Sequence, residues 1–597
     1  MSEPAEPVPF PAGGRRLVVF TIYDRRGGIE EAVVRSLRGL RPHAAEIHAV
    51  VNGSLSIEAR VILEALVDDI VVRDNRGFDI GAQQQVLIAL ESRLHEFDEV
   101  LLTNDTWYGP VGSFHALFER MDAQSVDAWS MTEHIAIDHI PRHLQSYWLA
   151  ARRSLTQSNH WREYWRNLPV FEGYWDAVIG HEVVFAEHFE QLGYTTSVAF
   201  PADAFPDGNY TIFAPVALIE AGCPIIKKRV FFHDPIHLAR YGVSGCDVLA
   251  AAEARGLPLE SVWGHLARTV PPHLLAASCG LVADAPQNQK RGVRILATVF
   301  VRDEDTVADL VARLRALPGT QRIILTGTDS HVLERAAALV GDRESVATFL
   351  VSESDSDGVV ANLSALAEVD RSGFEAVLVL RSPRNHPRTP SHERARDRIT
   401  LDALLGGHGR PSPVDVLVAS AGVGLILPAP GDIGRGGASR TWGAERVWVE
   451  RLRDGADIRV PWDEETPLEP EGGMWAATPD GLARIMDDRA RAAVAGAPVE
   501  VRAAALRRAL ASAAGEDSLR VLMCGSASTI AQNMMLADYE AGRLTDRLAH
   551  IEAAATVSTA VAGQPSLRRE TRIRANLGHI RGRVGRLFGW LRFSESR

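Results

Sequence analysis

Short apolar runs alternate with amphipathic stretches from residue 17 onward. Leu17-Val18-Val19-Phe20-Thr21-Ile22 has the length and branched composition of a buried strand. The polar loop Tyr23-Asp24-Arg25-Arg26-Gly27-Gly28 separates it from a stretch of helical period, and a second apolar run over 46–51 stops at Asn52-Gly53-Ser54. A third strand, predicted over 69–73, runs into the polar turn Asp74-Asn75-Arg76-Gly77-Phe78-Asp79. The pattern then predicts a helix over 81–94 and an apolar strand over 100–102 that halts at Thr103-Asn104-Asp105. Strand, helix, strand, repeated in this way, is the signature of a parallel sheet with crossover helices. The fold class is therefore α/β, with a Rossmann-like parallel sheet in the first domain.

A second α/β pattern follows residues 284–290, which read as a linker. Its strands are predicted over 293–301, 322–325, 347–351 and 376–380. Asp355-Ser356-Asp357-Gly358, a helix, then Phe374-Glu375-Ala376-Val377-Leu378-Val379-Leu380 echoes Asp79-Ile80-Gly81, a helix, then Phe97-Asp98-Glu99-Val100-Leu101-Leu102. Where the first copy carries Asn104-Asp105 the second carries Arg381-Ser382, so its carboxylate is gone. Duplication and two sheets obeying the same rules both account for the echo. The expected organisation is a disordered lead over 1–14, one domain over 15–283, a second and degenerate α/β domain over 291–498, and a helical C-terminal region over 499–597.

A chain of 597 residues exceeds the size at which one core stops growing. Its 46% hydrophobic and 23% charged residues are those of an ordinary globular protein, and a formal net charge of −12 argues against nucleic-acid binding. Cys223, Cys246, Cys279 and Cys524 are scattered without metal-ligand spacing and read as thiols of a reducing cytosol. The acidic, Pro- and Gly-rich start has no signal-peptide core, and no apolar run reaches the length of a membrane span.

In open α/β sheets, ligands bind outside the carboxyl ends of the strands. Asn104 and Asp105 sit at such an end, and an oxygen-rich strand end suits Mg²⁺ or Mn²⁺ bridging a diphosphate. The N-terminal amides of the helix that follows Asp79 suit the phosphates themselves. These features predict a nucleotide-sugar site. Plainer roles stay open: Asp79 as a helix cap, and Asn104-Asp105 as the opening of a turn. Trp107-Tyr108-Gly109-Pro110 is expected to form a rigid aromatic lip beside the site. Lys227 and Lys228 suit a departing diphosphate, or form an exposed basic pair.

The first domain resembles the GT-A glycosyltransferases, and more specifically the rhamnan synthesis protein F family of bacterial rhamnosyltransferases. The matching pieces are Asn75-Arg76-Gly77-Phe78-Asp79-Ile80-Gly81-Ala82, Leu102-Thr103-Asn104-Asp105-Thr106-Trp107-Tyr108-Gly109-Pro110, His143-Leu144-Gln145-Ser146-Tyr147-Trp148 and Gly222-Cys223-Pro224-Ile225-Ile226-Lys227-Lys228. The resemblance covers residues 16–270 and continues faintly through Gly422-Val423-Gly424-Leu425-Ile426-Leu427-Pro428 and Gly472-Gly473-Met474-Trp475. It implies a nucleotide diphosphate donor, dTDP-rhamnose by the family's chemistry. It also implies that Asp79, Arg73 and Asn75 hold the nucleotide and that Asp105 contacts metal or diphosphate with Asn104 as a neutral partner. Thr103-Asn104-Asp105 stands where the usual Asp-x-Asp would, which weakens the case for strict dependence on a divalent cation. Gln145, Ser146 and Tyr147 are implied on the acceptor side.

Inverting transfer needs a carboxylate to take the acceptor's proton. Counting back from Gly193 by the spacing of related inverting enzymes places Glu182 on the base, with His181 in the other acidic position. A carboxylate favoured at a helix N-terminus is the competing reading. His139 and His143 have the i, i+4 spacing of zinc ligands, but Pro141 between them breaks a helix and no HExxH motif is present. Residues 568–597 carry nine Arg and two Glu, with Leu577, Ile580, Val584, Leu587, Phe588 and Leu591 at helical spacing. That predicts a helix on an anionic membrane surface, with packing on the protein as the alternative. The expected protein is a cytoplasmic glycosyltransferase, peripheral at the inner face of the cell membrane, which extends a cell-surface polysaccharide or lipid-linked glycan. A non-catalytic glycan-binding scaffold is the alternative; a nucleotidyltransferase is disfavoured because no Gly-rich triphosphate loop with a following Lys is present.

Overall fold

The computed structural model describes residues 6–536 apart from 138–139, 206–207, 284–292, 342–344, 387–388, 408–411, 430–440 and 465. The 284–290 linker and the basic tail therefore lie outside the described residues. Two compact units are present, divided between Val262 and Trp263 rather than at the 284–290 segment.

Apolar alternation builds the first unit from β1 (Arg16–Tyr23), β2 (Glu46–Asn52), β3 (Asp69–Arg73), β4 (Glu99–Asn104), β5 (Trp107–Tyr108), β6 (Ala128–Ser130), β7 (Glu133–His134), β8 (His143–Leu144), β9 (Trp148–Arg152), β10 (Thr196–Val198) and β11 (Ile226–Lys227). Seven of them form one sheet in the order β3-β2-β1-β4-β9-β6-β10, parallel except for β9. Successive side chains of a strand face opposite ways. Val18, Phe20 and Ile22 accordingly join Trp107, Trp129 and Trp148 on one face, while Leu17 and Val19 join Trp161, Trp165 and Phe185 on the other. The crossover helix predicted over 81–94 runs over Phe78–Ala89 and so begins beside Asp79 itself. At the amino end of β4, the buried Glu99 pairs with Arg16 (2.5 Å) and Arg152 (2.8 Å) and accepts from Trp129 Nε1 (2.9 Å). Buried ions at that end are paired within the fold; those at the carboxyl end face the site. The lead expected to be disordered is anchored from within, since the Phe10 amide donates to the Asp122 carbonyl at 2.9 Å and its ring lies 4.3 Å from the Arg16 guanidinium.

The second unit contains β12 (Arg294–Phe300), β13 (Thr320–Gly327), β14 (Val346–Leu350), β15 (Ala376–Arg381), β16 (Val423–Pro428), β17 (Trp475–Ala477) and β18 (Arg520–Cys524), in the order β14-β13-β12-β15-β17-β16-β18. Numbered within each unit, both sheets read 3-2-1-4-6-5-7. Their sixth strand alone runs antiparallel to its neighbours. The echo in the sequence is thus a shared topology. One expectation is corrected: the chain beyond 499 is not wholly helical. Helix Val499–Glu516 is buried in the second core, and β18 then completes the sheet, because Val521 and Leu522 are apolar on an edge that β16 leaves open.

Register makes the two copies comparable residue by residue. Thr21 pairs with Asn104 and Phe300 with Arg381. The next amide, Asp105 or Ser382, donates to the Thr21 or Phe300 carbonyl (3.0 and 2.8 Å). Asp105 Oδ2 accepts from the Tyr23 amide (3.2 Å), and Ser382 Oγ accepts from the corresponding Arg302 amide (2.8 Å). The backbone duty is the same; only the first unit adds a charge. In the second, Arg381 fills the strand end, paired with Asp357 and with the buried Asp397 (2.6 Å).

Candidate functional site

One guanidinium holds the turn after β3. Arg73 donates from Nη1 to Asn52 Oδ1 (2.6 Å), from Nη2 to the Arg76 carbonyl (2.6 Å) and from Nε to Gln85 Oε1 (3.0 Å). Asn52 in turn donates from Nδ2 to the Phe78 carbonyl (3.0 Å). Arg73 was expected beside a nucleotide, but its donors are committed to the turn, which leaves the exposed Asn75 as the outward-facing residue of the pair. The backbone reverses through Gly77 (φ 70°) and Phe78 (φ 56°). Glycine enters that region freely; phenylalanine does so only when its surroundings enforce it. At Gly81 a Cβ would lie 2.5 Å from the Arg76 carbonyl oxygen. Gly81→Ala is therefore expected to destabilise the first unit by about 1–3 kcal/mol, read as a lower thermal midpoint at unchanged ligand.

A hydrogen-bond chain crosses the carboxyl end of the sheet. Lys227 Nζ donates to Thr106 Oγ1 (2.7 Å), and the Thr106 hydroxyl donates to Asn104 Oδ1 (2.6 Å). Asn104 Nδ2 then donates to Asp79 Oδ2 (2.6 Å), whose other oxygen accepts the Ile80 amide (3.0 Å). The antiparallel pair β5–β11 sets Lys227 opposite Trp107 and so brings residue 227 to the end of β4. Burial pulls the Lys227 ammonium down to about 8, against the fields of Glu182, Asp79 and Asp105. Its Nζ also lies 4.0 Å from the centre of the Tyr147 ring. Burial pushes the Asp79 and Asp105 carboxyls up; Asn104 opposes the shift at Asp79 and Lys228 opposes it at Asp105. Lys228 is buried, its ammonium 5.3 Å from the Tyr108 ring. It serves as an internal counter-ion rather than as half of an exposed basic pair.

Glu182 is not at a helix N-terminus. The helix starts at Tyr174, and a π-helical turn over Val178–Glu182 interrupts it before Val183–Gln191. Such turns are frequent at functional sites. The dipole reading of Glu182 therefore falls away. Its Oε2 accepts from the Ser146 amide (2.8 Å) and hydroxyl (2.5 Å), and Oε1 lies 3.7 Å from His143 Nε2. Burial raises the carboxyl, but His143 and Ser146 together outweigh it and hold Glu182 at about 2. His143 loses basicity to burial and regains more from Glu182 and the Pro141 carbonyl, so it ends above its ordinary value. The neighbouring His181 is fully buried, shares a hydrogen bond between its Nδ1 and Tyr164 Oη (2.9 Å) and is pushed down to about 4 by burial.

Several expected contacts have other surroundings. Gln145 and Tyr147 are buried and both bond Thr132 Oγ1 (2.7 and 2.6 Å), so only Ser146 of that trio reaches the half-open side, where it holds Glu182. Trp107 and Tyr108 form no lip. Both are buried, with the Trp107 ring 5.8 Å from Trp148 and 6.0 Å from Phe20. Tyr174 and Trp175, at the start of the Glu182 helix, are exposed instead, as is Tyr23 beside Asp105, and Arg229 donates to Tyr174 Oη (3.1 Å). Thr106, Tyr174 and Trp175 have no role in the sequence reading, and His143, weighed there only as a zinc ligand, is instead the partner of Glu182. An aromatic pair in a polar stretch was the one signal of Tyr174 and Trp175; nothing in the sequence singled out Thr106.

Asp105 keeps one carboxylate oxygen that bonds no other described residue, and Mg²⁺ or Mn²⁺ carried on a diphosphate needs no more than one or two protein carboxylates. Asp105 thus fits as the anchor of such an ion. Asn104 does not, because Thr106 saturates its carbonyl oxygen. Among the described residues no three His, Cys, Asp or Glu gather as a metal group. His139 of the zinc spacing lies outside the described residues, and His143 stacks on His134 at 5.0 Å.

Fold and site together define an α/β protein of two topologically alike units, one of which gathers two aspartates, a glutamate and a lysine at the carboxyl end of its sheet. The rhamnan synthesis protein F profile matches residues 47–486, most of the chain, and the chain belongs to that family. An uncharacterized protein of Sinorhizobium fredii, y4gN, is 22% identical over 185 residues, which are 30% of this chain and 47% of that protein. The chain thus matches about half the length of this relative. Among solved structures, the glycosyltransferase GlyE of Streptococcus pneumoniae aligns at 11% identity over 59% of this chain and 83% of its own, with a TM-score of 0.24. Glucosyl-3-phosphoglycerate synthase of Mycobacterium tuberculosis, solved with Mn²⁺ and UDP, aligns at 14% identity over 39% of this chain and 70% of its own, with a TM-score of 0.22. Superpositions this loose carry no fold assignment.

Proposed function

We propose that the first unit is a GT-A-like glycosyltransferase. It moves a sugar, L-rhamnose from a dTDP-type donor, onto a cell-surface polysaccharide or lipid-linked glycan by single displacement with inversion. The observation that carries this reading is the convergence of Asp79, Asp105, Lys227 and Glu182 at one strand end, in a chain of the rhamnan synthesis protein F family. Asp79 takes nucleoside hydroxyls and Asn75 the nucleotide's outer edge, while Arg73 and Asn104 hold the loop and Asp79 in place. Lys227 neutralises the diphosphate as it leaves, and a divalent cation bound at Asp105 would add positive charge there. Trp175 and Ser146 line the acceptor side. Glu182 is ionised throughout the working range, and a base of its strength takes a proton only from a hydroxyl already acidified by bond formation to the anomeric carbon. Attack and proton transfer are then concerted, and the new bond has the opposite anomeric configuration.

The second unit, whose strand end Arg381 fills, performs no transfer. The basic tail 568–597 docks the enzyme on the inner membrane face; among the described residues no helix is long and apolar enough to cross a membrane.

The deciding experiment incubates the purified chain with a panel of nucleotide diphosphate sugars and follows released nucleoside diphosphate, with NMR of the product's anomeric proton. Turnover of one donor with inversion is expected. Binding of no donor at all overturns the catalytic reading in favour of a scaffold. The lysine gives a pH signature. A diphosphate prefers charged Lys227, so donor affinity is level below pH 8 and falls as pH rises through about 8. In Lys227→Arg the fall should disappear from that range, as calorimetric titration at each pH would record.

A further inference from the structure

A cavity of about 590 Å³ opens in the second unit at the carboxyl ends of β12 and β15. Helix Val307–Arg315, helix Ser391–Leu405 and the segment 383–385 line it. Four arginines reach it, Arg313, Arg384, Arg394 and Arg398, against a single carboxylate, Asp309. Arg313 is occupied with Asp402 Oδ1 (2.9 Å) and the carbonyls of Leu401 and Gly406, where it ties the two helices together. Arg384, Arg394 and Arg398 are exposed, and no guanidinium of the three has a hydrogen-bond or ion-pair partner among the described residues. Arg394 and Arg398 stand one helical turn apart, a spacing at which like charges repel. Folding gains nothing from that arrangement.

The corresponding place in the first unit is packed differently. There Pro110 closes on the equivalent helix, Glu31–Leu40: a Cβ at Gly39 would lie 2.7 Å from Pro110 Cδ, and Arg35 donates to the Pro110 carbonyl (2.8 Å). The second copy has thus exchanged the strand-end carboxylate for arginine and serine, and beside that change it holds a basic cavity of ligand size. Ligands bind at this end of open α/β sheets, and guanidinium forks match phosphate oxygens in pairs.

We propose that this cavity binds a phosphoanion, a phosphate ester or diphosphate borne on a larger organic group, with Arg384, Arg394 and Arg398 as its ligands. The site is independent of donor chemistry in the first unit. The second unit would then hold the phosphorylated end of a glycan carrier while the first unit works.

The test uses the full chain. Inorganic pyrophosphate is titrated calorimetrically into wild type, Lys227→Met and an Arg394→Gln/Arg398→Gln double variant, the arginine variants being built on Lys227→Met so that the first unit's diphosphate contact is absent from the comparison. A second arm floats each protein with phosphatidylcholine vesicles containing a polyisoprenyl diphosphate. Pyrophosphate affinity that survives Lys227→Met and drops by about 100-fold in the double variant, at an unchanged thermal midpoint, supports the site. Capture stronger than on vesicles given the same charge by phosphatidylglycerol, which the basic tail alone would hold, and reduced to that level in the double variant assigns a lipid-borne phosphate; pyrophosphate binding without that excess assigns a soluble one. Should the double variant unfold, the single Arg384→Gln replaces it and is expected to weaken binding about tenfold. Equal binding by Lys227→Met and the arginine variants overturns the proposal, whatever the outcome for donor transfer.

Discussion

Glu182→Gln is expected to lower kcat by about 10²–10⁴-fold and to leave donor affinity within about twofold of wild type. The substitution is nearly isosteric. A glutamine carbonyl can still accept from the Ser146 amide and hydroxyl, so the π turn keeps its anchor. What disappears is the negative charge facing His143 and the capacity to receive a proton. Single-turnover measurements with saturating donor separate the two effects, because a binding defect vanishes at saturation and a chemical one does not. Turnover equal to wild type would keep the enzyme class but move the base elsewhere. A collapse of the thermal midpoint would show that the Glu182–Ser146 bonds serve the fold first.

Asp105→Ser is expected to fold like wild type and to lose about 10²–10³-fold in donor turnover, the cost of removing one preorganised charge contact. The second unit supplies the structural control. Ser382 occupies the same register position and accepts the equivalent backbone amide, that of Arg302 just past the neighbouring strand β12, so a hydroxyl suffices for the fold. The carboxylate of the first unit is also uncomfortable: burial pushes it up, and Lys228 is buried beside it to restrain it. A group kept against that cost, where serine would hold the backbone as well, points to chemistry. Circular dichroism and thermal melting of the variant, beside nucleoside diphosphate release over a range of Mg²⁺ and Mn²⁺, check both halves. Unfolding of Asp105→Ser would overturn the structural half, and full activity would overturn the chemical half.

Much of the first sheet was legible because a buried parallel strand must be apolar on both faces. The runs at 17–22, 46–51 and 100–102 have no other place in a soluble fold. The strand end at Asn104-Asp105 was legible for the same reason, since apolar residues stop where the sheet meets water. Less could be read where a side chain's role depends on what faces it. Trp107 and Tyr108 have the composition of a binding lip and are core, because the rings of Phe20, Phe114 and Trp148 pack on the first and Phe231 on the second. Glu182 has the spacing of a helix start and sits on a π turn inside a longer helix. The strand β18 escaped notice because its partner β16 lies about a hundred residues earlier, and pairing at that range leaves no local period.

Local pattern along the chain sufficed for the α/β class, the polar end of the first unit's central strand at Asn104-Asp105 and the absence of a carboxylate at Arg381-Ser382 in the second. Each of these follows from local pattern: apolar period, turn residues and the identity of one residue at a strand end. The tertiary structure alone decided that Lys227 reaches Asp79 through Thr106 and Asn104, that Lys228 turns inward, that Glu182 is held by Ser146 and His143, and that three arginines of the second unit line one cavity with no ion-pair partner among the described residues. Those facts depend on which distant segments the sheet brings together, and electrostatics acts through space, where separation along the chain has no weight.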